Sequence, residues 1–377
     1  MKQVSSRSKE DDEGATGQYG TGFVTTHLFG KGLKVGGSLV DTEHTDRYID
    51  IDNLVIDRMC GMVKDEFYEK MKDQLMAVRD LALRGAAAPH RREWTTLTYS
   101  LETAIGGHGG ERAQKALDAA VKTMPYLMTI NPRIHEVEID NQVSGDRFIF
   151  RASALPDEED VKVTRVVTEL NGTATETKVY YIESESGDDI IILPLATRHQ
   201  ARRFDGIAKL FVNYPLLGSE NFGFEFIFQS RRFFPEEKRD GLYLPKEDAN
   251  VPDYYKHNKA VLNEMTDMLF DALSDIQDSV DGWEEALALH LAAPQGCDKL
   301  RKDFYNDLKA KWVEFFDTLR VFDIDGEKQA LADSNVRLYS GSLLTSIDGD
   351  NEIFAPTAYQ AARLVGDTPA EELIRKW

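Results

Sequence analysis

Apolar and polar residues alternate over much of residues 141–250, and this pattern predicts consecutive β-strands. The turn-forming pair Asn171-Gly172 and the SGDD segment at 186–189 separate strand-like segments with residues typical of tight hairpins. The strand-like segments are DRFIFRA, KVTRVVTEL, TKVYYIES, DIIILPL, GIAKLFVNYPL and NFGFEFIFQS. The segment 141–250 is therefore predicted to be a mostly β domain.

Apolar residues at a spacing near 3.6 predict helices on both sides of this β segment. A long helix is predicted from Asp57 to Leu83, and further helices are predicted at 259–280, 283–293 and 299–319. Around the first helix lie strand-like segments and two short helical ones: LKVGGSLV, DRYIDIDNLVI, WTTLTYSL, IHEVEID, VTTHLF and RAQKALDAAVKTM. We expect an α+β protein with three parts, divided as 1–140 (mixed), 141–250 (mostly β) and 251–377 (helical).

The net charge of the chain bears on which partners are expected. Lys and Arg number 45 against 65 Asp and Glu, which gives a net charge of −20. This field disfavours nucleic acid and anionic membrane surfaces as partners. No apolar run approaches the ~18 residues of a membrane span. Cys60 and Cys297, the only two cysteines, are too few for a disulfide scaffold, and we expect free thiols in a cytoplasmic protein.

Three glycines at the spacing G-x-x-G-x-G stand in ATGQYGTGFVTTHL, residues 15–28. A Rossmann fingerprint requires a strand directly before its glycines, but SKEDDEGAT is polar and acidic. A P-loop requires Gly-Lys-Ser/Thr, whereas Gly22 is followed by Phe23 and Val24. The remaining interpretation is a loop of backbone amides that closes over phosphates before a helix amino terminus.

The longer stretch SSRSKEDDEGATGQYGTGFVTTHLF resembles the third ATP-binding motif of the GHKL superfamily of Bergerat-fold ATPases, in its chaperone and sacsin-like branch. The resemblance implies the C-terminal part of a GHKL α/β sandwich, then a transducer-like domain and a helical region. It implies ATP and Mg²⁺ as cofactors. The implied nucleotide-binding residues of the loop are Gly17, Gln18, Tyr19, Gly20, Thr21, Gly22 and Phe23. In WTTLTYSL, Thr95 or Thr96 would be the family's threonine near the nucleotide.

The segment LFVNYPLLGSENFGFEFIFQSRRFFPEEKRDGLYL looks like the family's segment after the ATPase domain. By position the resemblance assigns Arg239 to the γ-phosphate, with Lys238 and Arg232 as alternatives. A guanidinium can bind phosphate oxygens in a bidentate manner. The residues alone also allow a surface ion pair between Arg239 and Asp240 or a nearby glutamate.

Two GHKL motifs are missing from the 377 residues. None of the residues before Gly14 is Asn, so the helix that carries the general-base Glu and the Mg²⁺-ligating Asn is absent, and no Asp-x-Gly-x-Gly for adenine occurs. We expect a start internal to a longer gene, a split protein whose partner chain completes the site, or a decayed homologue. The first two are favoured because the glycine loop is intact. We expect weak or absent ATPase activity of this chain alone.

Two functions stay open: an ATP-binding protein that acts on protein clients, and a protein-interaction or scaffold module that keeps the fold without nucleotide. The segment SIDGDNEIF, with Asp348, Asp350 and Glu352, lacks the central glycine of a calcium loop and is interpreted as a solvated turn, so no metal ligands are assigned. The basic segments HQARRFDG and SRRFF could bind phosphate or an acidic partner, or could be solvated.

Overall fold

The computed structural model shows a mixed α+β protein, as predicted, in two compact units, Met1–Ala120 and Val121–Trp377. The residues that it describes are 29–40, 48–57, 63–84, 87–88, 90–158, 161–220, 222, 224–236, 240–244, 252–283, 299–324, 327–330 and 332–333. The glycine loop, Cys60, Cys297, residues 24–28 of the predicted helix at 24–29, residues 284–293 of the predicted helix at 283–293, and the acidic turn at 348–352 lie outside them.

The first unit is a small sheet with helices. Its elements are β1 (Gly32–Val40), β2 (Tyr48–Asp57), α1 (Lys64–Arg84), β3 (Ala87–Ala88), β4 (Thr96–Tyr99), two 3₁₀ turns (Leu101–Thr103 and Ile105–Gly107), and the beginning of α2 (Gly109–Ile130), which runs across the division. The strand order is β3-β2-β1-β4, and every pair is antiparallel.

Strands β1 and β2 confirm the strand-like segments LKVGGSLV and DRYIDIDNLVI and pair antiparallel, and the alternation in β2 gives the sheet one apolar face. Ile49 and Ile51 of β2 are buried, whereas Asp50 and Asp52 are exposed. The helix predicted from Asp57 is wrong at its start, because Asp57 is the last residue of β2 and pairs with Gly32, and α1 begins at Lys64.

The second unit is built on an eight-stranded sheet of order β13-β12-β14-β9-β8-β7-β6-β5. Its strands are β5 (Glu136–Asn141), β6 (Asp146–Glu158), β7 (Val161–Leu170), β8 (Thr173–Glu183), β9 (Asp189–Ile192), β12 (Leu210–Val212), β13 (Tyr214–Pro215) and β14 (Ile227–Ser230). The other elements are β10 (Leu195–Thr197), β11 (Gln200–Ala201), α3 (Asp253–Ile276), a 3₁₀ turn (Gln277–Ser279), α4 (Lys299–Thr318), β15 (Arg320–Ile324) and β16 (Glu327–Ala330).

Local turn chemistry explains the predicted meander β5 to β9. Between β7 and β8, Asn171 and Gly172 have φ angles of 50° and 85°, the left-handed pair that a type I′ hairpin turn requires. Strand β12 is parallel to β14, and the other neighbouring strands of the sheet are antiparallel.

Buried side chains of this sheet, of α3 and of α4 pack together in a shared hydrophobic core. At its centre the rings of Phe224 and Trp312 stack with centroids 5.2 Å apart and an interplanar angle of 8°. Core residues come from 161 to 321, so residues before and after position 250 share one core. Separate domains at 1–140, 141–250 and 251–377 stay a prediction. None of the helices in the described ranges is long and apolar enough to cross a membrane.

Candidate functional site

The predicted site residues fall into two groups. Gly17, Gln18, Tyr19, Gly20, Thr21, Gly22, Phe23, Lys238 and Arg239 lie outside the described residues. Thr95, Thr96 and Arg232 are described, as is the chain that adjoins each undescribed segment. The surroundings of each motif can therefore be built from the residues upward.

Thr95 and Thr96 lie at the beginning of β4, beside a pair of glycines in β1. Thr96 pairs with Gly36, and a Cβ atom at Gly36 would lie 2.5 Å from the Thr96 Oγ1 atom. A Cβ at Gly37, whose φ is +148°, would lie 3.2 Å from the Thr95 Oγ1 atom. Both threonines are exposed. The glycine pair thus leaves room for two hydroxyl groups at the surface of the sheet.

Arg92 fixes the segment that leads into these threonines. Its guanidinium bonds Asp52 at 2.6 Å and Asp50 at 3.2 Å, and its backbone N–H donates to Ser38 Oγ at 2.9 Å. The hydrogen bond from Arg92 lowers the pKa of Asp52, and the same bond is the main cause of the raised pKa of Arg92. The Arg92 side chain also lies 5.4 Å from the exposed ring of Trp94. These contacts attach the approach to β4 onto the β1–β2 hairpin.

The chain that follows the glycine loop is tied to the end of β4. The rings of Phe29 and Tyr99 meet edge to face at 6.4 Å. The backbone N–H of Lys31 donates to Thr103 Oγ1 at 2.8 Å. At Gly30 a Cβ atom would lie 2.4 Å from the Ser100 carbonyl oxygen, so only glycine fits. The structure therefore pairs β1, the strand that follows the glycine loop in the chain, with β4, the strand that begins at Thr96.

The residues on either side of the segment with Arg239, 231–236 and 240–244, are described and belong to the second unit. Pro235 pairs with Leu242, and the Glu236 N–H donates to the Gly241 carbonyl at 2.9 Å. Asp240 lies against Gly218, where an added Cβ atom would be 3.0 Å from the Asp240 carbonyl oxygen. The predicted alternatives for Arg239, a phosphate ligand and a surface ion pair, both stay predictions.

Arg232, the predicted alternative to Arg239, is engaged by two carboxylates. Its guanidinium donates to Asp189 Oδ2 at 2.5 Å and to Glu264 Oε2 at 2.7 Å. The bond to Asp189 is the main cause of its raised pKa. These bonds link the start of β9 to α3, which explains Arg232 without a ligand.

A buried lysine escaped the sequence prediction. Lys209 has a side chain that is 3% exposed, and its ammonium donates to the Phe204 carbonyl at 2.8 Å and to Glu225 Oε2 at 3.0 Å. Burial lowers its pKa, although Glu225 opposes this effect. The basic segment HQARRFDG is partly explained by the same cluster, since Arg203 Nη2 lies 3.5 Å from Glu225 Oε1. A lone lysine inside the apolar run GIAKLFV was the signal available in the sequence.

In the described ranges no three His, Cys, Asp or Glu side chains group as metal ligands would, so Mg²⁺ stays a cofactor implied by resemblance. Comparisons of the chain with protein-family models, curated proteins and solved structures found no match.

Proposed function

We propose that this protein binds ATP in the manner of the chaperone and sacsin-like GHKL ATPases. The glycine loop, residues 17–23, closes over the phosphates, and Thr95 or Thr96 lies beside the nucleotide. The observation that carries the proposal is the pairing of β1 with β4, because it makes the strand that follows the loop a direct neighbour of the strand that begins at Thr96.

Each part of this site has a defined chemical role. Backbone N–H groups of the loop donate to phosphate oxygens. The loop can therefore bind an anion although the side chains of the chain are acidic overall. A threonine hydroxyl on β4 donates a further hydrogen bond. Mg²⁺ would neutralise phosphate charge.

Hydrolysis by these 377 residues alone is expected to be weak. They contain no Asp-x-Gly-x-Gly motif to specify adenine and no Asn before Gly14. Without a general base no side chain orients the attacking water. The proposed role is nucleotide binding coupled to a change of conformation.

Thermal unfolding in the presence of ATP and Mg²⁺ tests the proposal. A ligand that binds only the native state stabilises it by about 2.7 kcal/mol when it is present at a hundred times its Kd. We expect ATP to raise the Tm of the wild-type chain but not that of Gly20→Val. Gly110→Val is the matched control, because a Cβ atom there meets nothing within 4 Å.

A protein-interaction or scaffold module is the second candidate function, favoured by the exposed apolar side chains of α1. Tyr68, Met76 and Leu83 are all more than half exposed, and no described residue of α1 is buried. An unchanged Tm of the wild-type chain at millimolar ATP would reject nucleotide binding and favour this alternative.

A further inference from the structure

The only Asn-Gly pair in the 377 residues, Asn171-Gly172, lies in the β7–β8 turn. Asparagine deamidates most readily before glycine, because glycine has no side chain to keep its backbone nitrogen away from the preceding carboxamide. Asn171 and Gly172 are both exposed, and both have left-handed φ angles. The turn therefore holds a reactive pair that water can reach.

Deamidation of this pair needs water as its only co-reactant. The Gly172 backbone nitrogen gives its proton to a base and attacks Cγ of Asn171. A bond forms between this nitrogen and Cγ, the bond from Cγ to Nδ2 breaks, and Nδ2 takes a proton from water and leaves as ammonia. The cyclic imide takes up one water molecule and opens at either carbonyl, which gives aspartate or isoaspartate. The ring can close only after Cγ of Asn171 turns towards the Gly172 nitrogen.

Three hydrogen bonds hold Asn171 on the first two residues of β6. Its backbone N–H donates to the Arg147 carbonyl at 3.0 Å, and its Oδ1 accepts from the Arg147 N–H at 2.8 Å. Its Nδ2 donates to Oδ1 of Asp146 at 3.1 Å. Both ends of the carboxamide are thus bound to the neighbouring strand. Rotation of Cγ towards Gly172 breaks both of these side-chain bonds, which raises the barrier to ring closure.

We propose that Asn171 is a site of spontaneous deamidation, which Asp146 and Arg147 keep unreacted while β6 and β7 stay paired. Local opening at this end of the sheet frees the carboxamide and lets the imide form. The product then favours further opening. A carboxylate at position 171 has no N–H to donate and lies against the Asp146 carboxylate, where like charges repel. Isoaspartate also adds a methylene group to the backbone of a two-residue turn, whose geometry is narrowly defined.

The first arm of the test compares the folded chain with an unprotected reference, a synthetic peptide with the sequence of residues 168–175. Aspartate and isoaspartate at position 171 are measured by peptide mass spectrometry during incubation at mildly alkaline pH. We expect the folded wild-type chain to react at least about tenfold more slowly than the peptide, because two side-chain bonds must break first. Equal rates would overturn the protection by β6. Absence of both products in the peptide would overturn the assignment of the site.

The second arm isolates the contribution of Asp146. Asp146→Ala removes the acceptor of the Nδ2 bond, and we expect deamidation at Asn171 to become roughly threefold to tenfold faster. The matched control is Asp140→Ala, an exposed carboxylate of β5 that pairs with Arg147 across the sheet; its rate should equal that of the wild-type chain. An unchanged rate in Asp146→Ala, or an equal gain in both variants, would overturn the proposal. The peptide comparison needs no variant and decides the proposal even if Asp146→Ala does not fold.

The third arm measures what the product does to stability. Asn171→Asp places two carboxylates against each other, and we expect a lower urea midpoint than in the wild-type chain. In the double variant Asn171→Asp/Asp146→Asn the amide at position 146 can donate to the carboxylate at position 171. This exchange of donor and acceptor should restore about half of the loss or more. An unchanged midpoint in Asn171→Asp, or no recovery in the double variant, would overturn the inference that deamidation favours opening.

Discussion

At the scale of single residues, Lys209 is expected to make the free energy of unfolding vary with pH in the alkaline range. Burial lowers its folded pKa below the ordinary 10.5. Between the two values the unfolded chain binds more protons, so the free energy of unfolding rises with pH there. Relative to Lys209→Met, the wild-type chain should gain stability as pH rises through this range and lose the gain as pH falls. Urea unfolding of both proteins at several alkaline pH values measures the difference, and parallel curves would contradict the prediction.

Arg232 offers a second prediction at this scale, because its two carboxylate partners differ in burial. The Asp189 side chain is only 7% exposed, whereas that of Glu264 is 60% exposed. Arg232→Ala leaves a nearly buried carboxylate unpaired and should cost about 3 kcal/mol. Glu264→Gln removes an exposed pair and should cost below about 1 kcal/mol. Denaturant unfolding of the two variants measures each loss in the free energy of unfolding. Equal losses would show that the buried Asp189 carboxylate does not need Arg232 as its partner.

At the scale of elements, the contact between β1 and β4 depends on the missing side chain at Gly36. A Cβ atom there would lie 2.5 Å from the Thr96 Oγ1 atom, so Gly36→Ala should destabilise the first unit by about 1–3 kcal/mol. Replacing Thr96 by Ala removes that oxygen. The double variant Gly36→Ala/Thr96→Ala should therefore be more stable than Gly36→Ala alone. Thermal unfolding of the two single variants and the double variant decides this, and strictly additive losses would contradict the clash.

At the scale of the whole molecule, Trp312 joins α4 to the aromatic side chains over the large sheet. It is almost fully buried, stacks on Phe224 and contacts Phe270 edge to face at 5.5 Å. Trp312→Ala should cost about 3–5 kcal/mol, whereas Val313→Ala, at its exposed neighbour, should cost within about 0.5 kcal/mol. The denaturant midpoint of each variant is the measurement. Similar midpoints for both would place the core of the second unit elsewhere.

The sequence predicted local structure well, because strands and turns depend on neighbouring residues. It predicted tertiary contacts poorly, because the partners are distant in the sequence. Alternation and the Asn171-Gly172 turn determine strands through neighbouring residues, and the structure has them there. Asn258, by contrast, looks like any polar residue on a helix, and its partners at 234 and 243 are distant in the sequence. The same holds for Lys209 and Glu225.

The candidate site shows the same difference between local sequence motifs and tertiary contacts. The glycine loop and Thr95 or Thr96 were assigned from glycine spacing and resemblance, and their role stays a prediction, whereas the pairing of Leu33 with Tyr99 depends on the whole first sheet. The predicted start of α1 was too early because the apolar spacing of Met59, Met62 and Val63 continues the helical pattern back to Asp57, whereas Asp57 is the last residue of β2 and α1 begins at Lys64. Periodicity does not distinguish the two where a strand leads into a helix.

The strand order of the large sheet implies an order of folding events. Strands β5 to β9 pair with their neighbours in the chain, and such local pairs form rapidly. The edge strands β12 and β13 reach this sheet only through β14, which follows them in sequence. The chain between Leu210 and Ser230 must therefore loop out and return before β12 can join. We expect the meander to acquire protected amides early in refolding, and the β12–β14 pair to be the late, slow step that limits how quickly the second unit becomes native.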